Sequence, residues 1–182
     1  MARHPSRLDP LQGRGGQLDA MPTFAGVNHV ALTVTDLDVS ERFYTEVLGF
    51  RRALDIGYGR LLLHQATGFV IGLLKHPDAT GGPFSELTTG LDHLGFTASN
   101  RAELVEWETR LREAGVEYTP IRDLTLGHHL NFRDPDGIAL EFQAPTALYA
   151  AVLADVATRE VTDEEVLQIA RRLLGDEFPQ PT

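Results

Sequence analysis

Apolar residues alternate with small or polar ones from Gly26 onward: Val30, Leu32 and Val34 fall on one side of the chain, His29, Ala31 and Thr33 on the other. A period of two is the mark of a strand packed on one face. Asp38 follows with Glu41 three residues on, the spacing of a capping box, and Gly49 stands where a left-handed residue closes a helix at least steric cost. Three more strands are predicted over Arg52 to Ile56, Arg60 to His64 and Phe69 to Leu74, with Gly57, Gly59 and Gly68 as punctuation.

The same order then recurs. Leu94, Phe96 and Ala98 alternate with His93, Gly95 and Thr97 in a strand over Leu91 to Ala98, and Asn100 caps a helix with Glu103 in the box position. Leu104, Trp107, Leu111 and Ala114 share one side of that helix, which Gly115 ends. Strands fit Glu117 to Arg122, His128 to Phe132 and Ile138 to Gln143, with Asp134-Pro135-Asp136-Gly137 as a turn. His29-Val-Ala-Leu-Thr33 matches His93-Leu-Gly-Phe-Thr97 position for position at an offset of 64, so the chain carries an internal duplication. After Thr146 the pattern turns helical: Leu148 to Val156 is apolar. Thr162 then opens a box with Glu165, ahead of a stripe of Val166, Ile169, Ala170, Leu173 and Leu174 that packs on the domain or on a second subunit. The predicted organisation is a flexible arm over 1–21 and a domain over 22–146, followed by a helical extension over 147–182. Within the domain, module one spans 26–77, a linker 78–89 and module two 90–145.

Composition narrows the chemistry. Of 182 residues, 16 are Lys or Arg and 26 Asp or Glu, a formal charge of −10 that repels nucleic acid and anionic membranes. No stretch approaches the roughly 18 apolar residues of a membrane span, and no secretory signal is evident, so the expected compartment is the cytoplasm. There is no cysteine, which excludes disulfides, thiolate metal sites and thiol nucleophiles and leaves seven histidines and the carboxylates as donors.

Three of these point away from the aliphatic packing surface. His29 and His93 occupy equivalent places in two strands, and Glu141 shares a face with Ala139 and Gln143, opposite Leu140 and Phe142. A lone strand histidine is more often a packing residue; two at matching positions, with a carboxylate in an apolar strand, shift the balance to metal binding. Two imidazoles and a carboxylate form a facial triad for a divalent metal, iron(II), manganese, zinc or nickel, with open positions for substrate.

In NHVALTVTDLDVSERFYTEVLGF at 28–50, LDHLGFTAS at 91–99 and NFRDPDGIALEF at 131–142, the chain resembles the vicinal oxygen chelate superfamily. That superfamily includes glyoxalase I, extradiol dioxygenases, fosfomycin-resistance transferases and bleomycin-binding proteins. The resemblance implies an α+β fold in which paired βαβββ modules form a curved mixed sheet around a metal cavity, here followed by C-terminal helices. It implies ligands on the first and last strands of the modules, which map onto His29, His93 and Glu141. Gly72 aligns with Glu141, so the fourth ligand of glyoxalase I is absent, and a three-ligand site is more similar to dioxygenases and fosfomycin-type transferases. His129 and Asn131 fall on a substrate-contacting face, His129 as a group able to move a proton at neutral pH and Asn131 where extradiol dioxygenases usually carry a Tyr. Tyr58, Arg60 and Arg122 are weighed as pocket contacts against plain surface roles, and His128 is expected to be structural. The implied function is a metal-dependent enzyme, dioxygenase-like or a lyase, isomerase or transferase, acting on a small molecule that chelates the metal through neighbouring oxygens. The competing reading is a metal-free, bleomycin-resistance-type binding protein. A homodimer is implied, with each site built within one chain or shared between two.

Overall fold

The computed structural model describes residues 24–175, so the predicted arm over 1–21 and the end of the tail, 176–182, lie outside the described residues. The first half runs β1 (His29–Thr33), α1 (Leu37–Arg42), β2 (Arg51–Asp55), β3 (Gly59–His64) and β4 (Phe69–Leu74), with α1 continuing into a π-helical turn over Phe43–Val47. The second half repeats it as β5 (Leu94–Thr97), α2 (Arg101–Glu113), β6 (Arg122–Asp123), β7 (Gly127–Arg133) and β8 (Ala139–Pro145). Two four-stranded mixed sheets result, ordered β1-β4-β3-β2 and β5-β8-β7-β6, each with its first strand parallel to its last. This is the paired βαβββ architecture, of the α+β class.

Each module sets its helix against one face of its sheet and buries the aliphatic set there. Leu32, Val34, Ile71 and Leu73 belong to that core in module one, Leu104, Leu111, Leu130 and Leu140 in module two. Phe96 joins the halves, with ring centroids 6.4 Å from Phe50 and 6.2 Å from Phe69. Polar bonds reinforce the join: the buried Tyr44 hydroxyl donates to Asp134 Oδ2 at 3.1 Å, and the Arg110 guanidinium donates to the carbonyls of Glu46 and Val47. Asp134 also accepts from the backbone N–H groups of Asp136 and Ile138, so its carboxylate organises the β7–β8 turn while gripping the opposite module. Burial raises the pKa of Asp134 above the ordinary carboxylate value and pushes the Tyr44 phenol well up.

Local departures from the sequence pattern have physical causes. The first helix is capped by Asp36, not Asp38, because the Asp36 carboxylate reaches the N–H groups of both Asp38 and Val39. Glu41, freed from a box role, accepts from Arg60 at 2.6 Å. The strand expected over Glu117 to Arg122 survives only as a bridge from Tyr118 to Phe132 and the two-residue β6, since Pro120 has no N–H for a ladder. The tail forms α3 (Ala147–Val156), capped by Thr146, and α4 (Asp163–Leu174), where Thr162 and Glu165 complete the expected capping box. No helix among the described residues is long and apolar enough to cross a membrane.

Candidate metal centre

The face of the second sheet turned away from α2 carries the polar residues. In the ladders, Glu141 sits between Gly95 of β5 and Asn131 of β7, and His129 faces Gln143. Side chains two apart along a strand share a face, so Glu141, Asn131 and His129 point the same way, and His93, just ahead of β5, joins them. Gly95 keeps the space beside the carboxylate open: a Cβ there would stand 3.7 Å from Glu141 Oε2.

Glu141 is 8% exposed, and its two oxygens have different partners. Oε1 accepts from His129 Nδ1 at 2.7 Å, which fixes the carboxylate plane. Oε2 lies 3.6 Å from His93 Nε2. The other ring nitrogen of His93, Nδ1, is 2.6 Å from Asp92 Oδ1, and a carboxylate can only accept. In the neutral ring, therefore, the proton is on Nδ1 and the Nε2 lone pair faces the Glu141 oxygen. Two acceptors so placed repel unless a cation lies between them. Two donors each about 2.1 Å from one ion stand at most about 4.2 Å apart, so the observed separation fits shared ligation.

His29 stands elsewhere. It is exposed, with Nδ1 2.8 Å from Asn28 Oδ1. Among the described residues of one chain, no group of three His, Asp or Glu side chains gathers about a common ion position. The structure thus brings together two of the three predicted ligands, His93 and Glu141, adds His129 beside them, and leaves His29 outside the group. Gly72 is buried between Ala31 and Leu61, and the nearest atoms to its would-be Cβ are their carbons at 3.5–3.7 Å. Arg60, weighed as a pocket contact, is instead structural: it donates to Asp38, Glu41, Asp55 and the Leu37 carbonyl. His128 binds Asp123 at 2.6 Å, away from the site. Tyr58 lines a separate depression of about 1250 Å³ between β1 and the linker, with Thr33, Lys75, His76 and Phe84, and no residue of the His93–Glu141 group borders it. Sequence reasoning missed the side-chain oxygens holding each histidine's Nδ1 and the bond from His129 to Glu141; the repeated Asn-His and Asp-His pairs were the available signal for the first.

Two matched βαβββ modules, the second with a His–carboxylate pair on its open sheet face, define the class of fold. Residues 26–142 match the model of the Glyoxalase/Bleomycin resistance protein/Dioxygenase superfamily, and the chain belongs to that family. It is similar to the metallothiol transferase FosB of Shouchella clausii, 30% identical over 124 residues that cover 66% of this chain and 81% of FosB. Its fold is similar to a glyoxylase/bleomycin resistance protein/dioxygenase domain from Frankia sp. EAN1pec, with a TM-score of 0.63, 36% identity, and coverage of 69% of this chain and 95% of that one. It is also similar in fold to the fosfomycin resistance protein FosX of Listeria monocytogenes, crystallised with Mn(II) and sulfate, with a TM-score of 0.57, 22% identity, and coverage of 72% of this chain and 99% of FosX.

Proposed function

We propose that the protein is a divalent-metal-dependent enzyme acting on a small molecule that offers two neighbouring oxygens to the ion. The observation that carries this reading is the facing pair of acceptors, His93 Nε2 and Glu141 Oε2, each with its remaining hydrogen-bonding atom already tied down. The third donor in this reading would be His29 of a second copy of the chain, since the described residues of one chain bring only His93 and Glu141 of the predicted ligands together. A bound ion would act as a Lewis acid, offsetting negative charge that develops on the substrate oxygens. Glu141 would hold it from β8 and His93 from β5.

The chain's own residues do the rest. His129 has given Nδ1 to Glu141, which leaves Nε2 to accept or return a proton on the substrate side. Asn131, directly across from Glu141, offers an amide that donates to and accepts from substrate oxygens but moves no proton. That amide, together with the likeness to a metallothiol transferase, favours transfer, lyase or isomerase chemistry over oxygen-dependent ring cleavage. Manganese is the metal of first choice, because a FosX structure holds Mn(II).

Equilibrium dialysis of the metal-stripped protein against Mn(II), iron(II), zinc and nickel tests the reading. About one equivalent per chain is expected. Less than about a tenth of an equivalent of every metal would overturn it in favour of a metal-free ligand-binding protein.

A further inference from the structure

We infer that Asp92 and Asn28 are positioning residues that set the tautomer of His93 and His29, with Asp92 the stronger director. The inference rests on the metal-dependent reading and says how its nitrogen donors are aimed. On the module-one face, the residues that match Glu141, Asn131 and His129 in the ladders are Gly72, Leu61 and Gly59. The three polar side chains of the module-two ladder have no polar counterpart there, while the histidine and the oxygen-bearing neighbour that holds it recur: Asn28 Oδ1 to His29 Nδ1 at 2.8 Å, Asp92 Oδ1 to His93 Nδ1 at 2.6 Å.

A neutral imidazole has one N–H, and the ring nitrogen that gives it away leaves the other with a lone pair. Left alone, an imidazole prefers its proton on Nε2, the wrong atom for a donor aimed at Glu141. An oxygen at Nδ1 reverses that preference and restrains ring rotation. The two neighbours differ in power. The Asp92 carboxylate has only acceptor atoms and makes a charge-assisted bond, so it enforces one tautomer. The Asn28 amide can turn its NH₂ toward the ring, so it directs less strictly. Both residues are exposed, so changing them leaves the core untouched.

The test uses Asp92→Ala, Asp92→Asn and Asn28→Ala in the full chain, with two readouts. The first is the ¹⁵N spectrum of the metal-free protein at about pH 8.5, about two pH units above the pKa of free imidazole side chains, with the His93 signal assigned from its loss in His93→Gln. The second is the Mn(II) dissociation constant by chelator competition. In Asp92→Ala the His93 proton should move to Nε2 and Mn(II) binding should weaken about 10–100-fold. Asp92→Asn should keep the Nδ1–H tautomer and bind at most about fivefold more weakly than wild type. Asn28→Ala should lose less than Asp92→Ala. If Asp92→Ala leaves either readout unchanged while wild type binds Mn(II), the positioning role alone is overturned. If wild type binds no Mn(II), the metal reading falls and the inference with it.

Discussion

The two modules share backbone, register and helix placement, yet their open faces differ position by position. Where module two carries Glu141, Asn131 and His129, module one has Gly72, Leu61 and Gly59. A side chain at Gly59 would collide with Leu74, whose Cδ2 would lie 2.6 Å from the added Cβ, so module one has filled with apolar carbon the space that module two keeps for chemistry. The first-strand histidine persists in both, as does the threonine four residues on, Thr33 and Thr97. Duplication has produced one half with a cluster of polar side chains on its open face and another with an apolar wall and a lone histidine at the edge.

The largest expected contrast is in metal binding. Glu141→Ala should lower Mn(II) affinity by more than about 100-fold, because it removes a first-rank donor and releases His129. Gly72→Ala, the matching change in module one, should leave affinity unchanged. Chelator competition on both variants, with circular dichroism as the folding control, measures the difference; equal losses would erase the contrast.

Next in size is the join between the modules. Asp134→Ala strands the Tyr44 hydroxyl and two backbone N–H groups and should cost about 2–4 kcal/mol by urea unfolding. Gln65, its counterpart in module one, should tolerate Ala within about 0.5 kcal/mol. The Asp134 carboxyl also has a pH signature. Burial raises its folded pKa above 3.8, so the folded state keeps the proton longer than the unfolded chain. The stabilisation this gives is complete below 3.8 and is lost as pH rises through the folded pKa. Asp134→Asn should therefore gain on wild type as pH rises across that window; a constant difference in unfolding free energy would contradict it.

Smaller effects should follow outside the open faces. Arg60→Ala leaves Glu41, only 16% exposed at its side chain, with Arg52 alone and should cost about 1 kcal/mol. At the smallest end, Glu86 of the linker is held to a pKa of about 2 by the Arg133 guanidinium of β7. Its ion pair should persist as pH falls below 4.5 and be lost toward about 2, which a carboxyl NMR titration will show.

The paired modules were legible because strand alternation, helix caps and glycine stops repeat in order from His29 and again from His93. The site was legible where alternation alone decides the face, as for Glu141 and His129. It was not legible where contact depends on how whole modules are set against each other: a period of two says which way His29 points, not what it meets. The cap at Asp36 was hidden because two aspartates within three residues both satisfy the local pattern. Arg60 looked available until folding placed Asp38, Glu41 and Asp55 around it.

In the proposed site the ion would be held between module two of one chain and His29 of another. This arrangement is tested by unfolding His29→Ala and His93→Ala chains together, refolding the mixture and measuring bound Mn(II). Sharing across a twofold leaves one intact site in each mixed dimer, so about a quarter of an equivalent per chain should return, although neither variant alone holds stoichiometric metal. A mixture that binds no more than the separate variants would rule out a shared site.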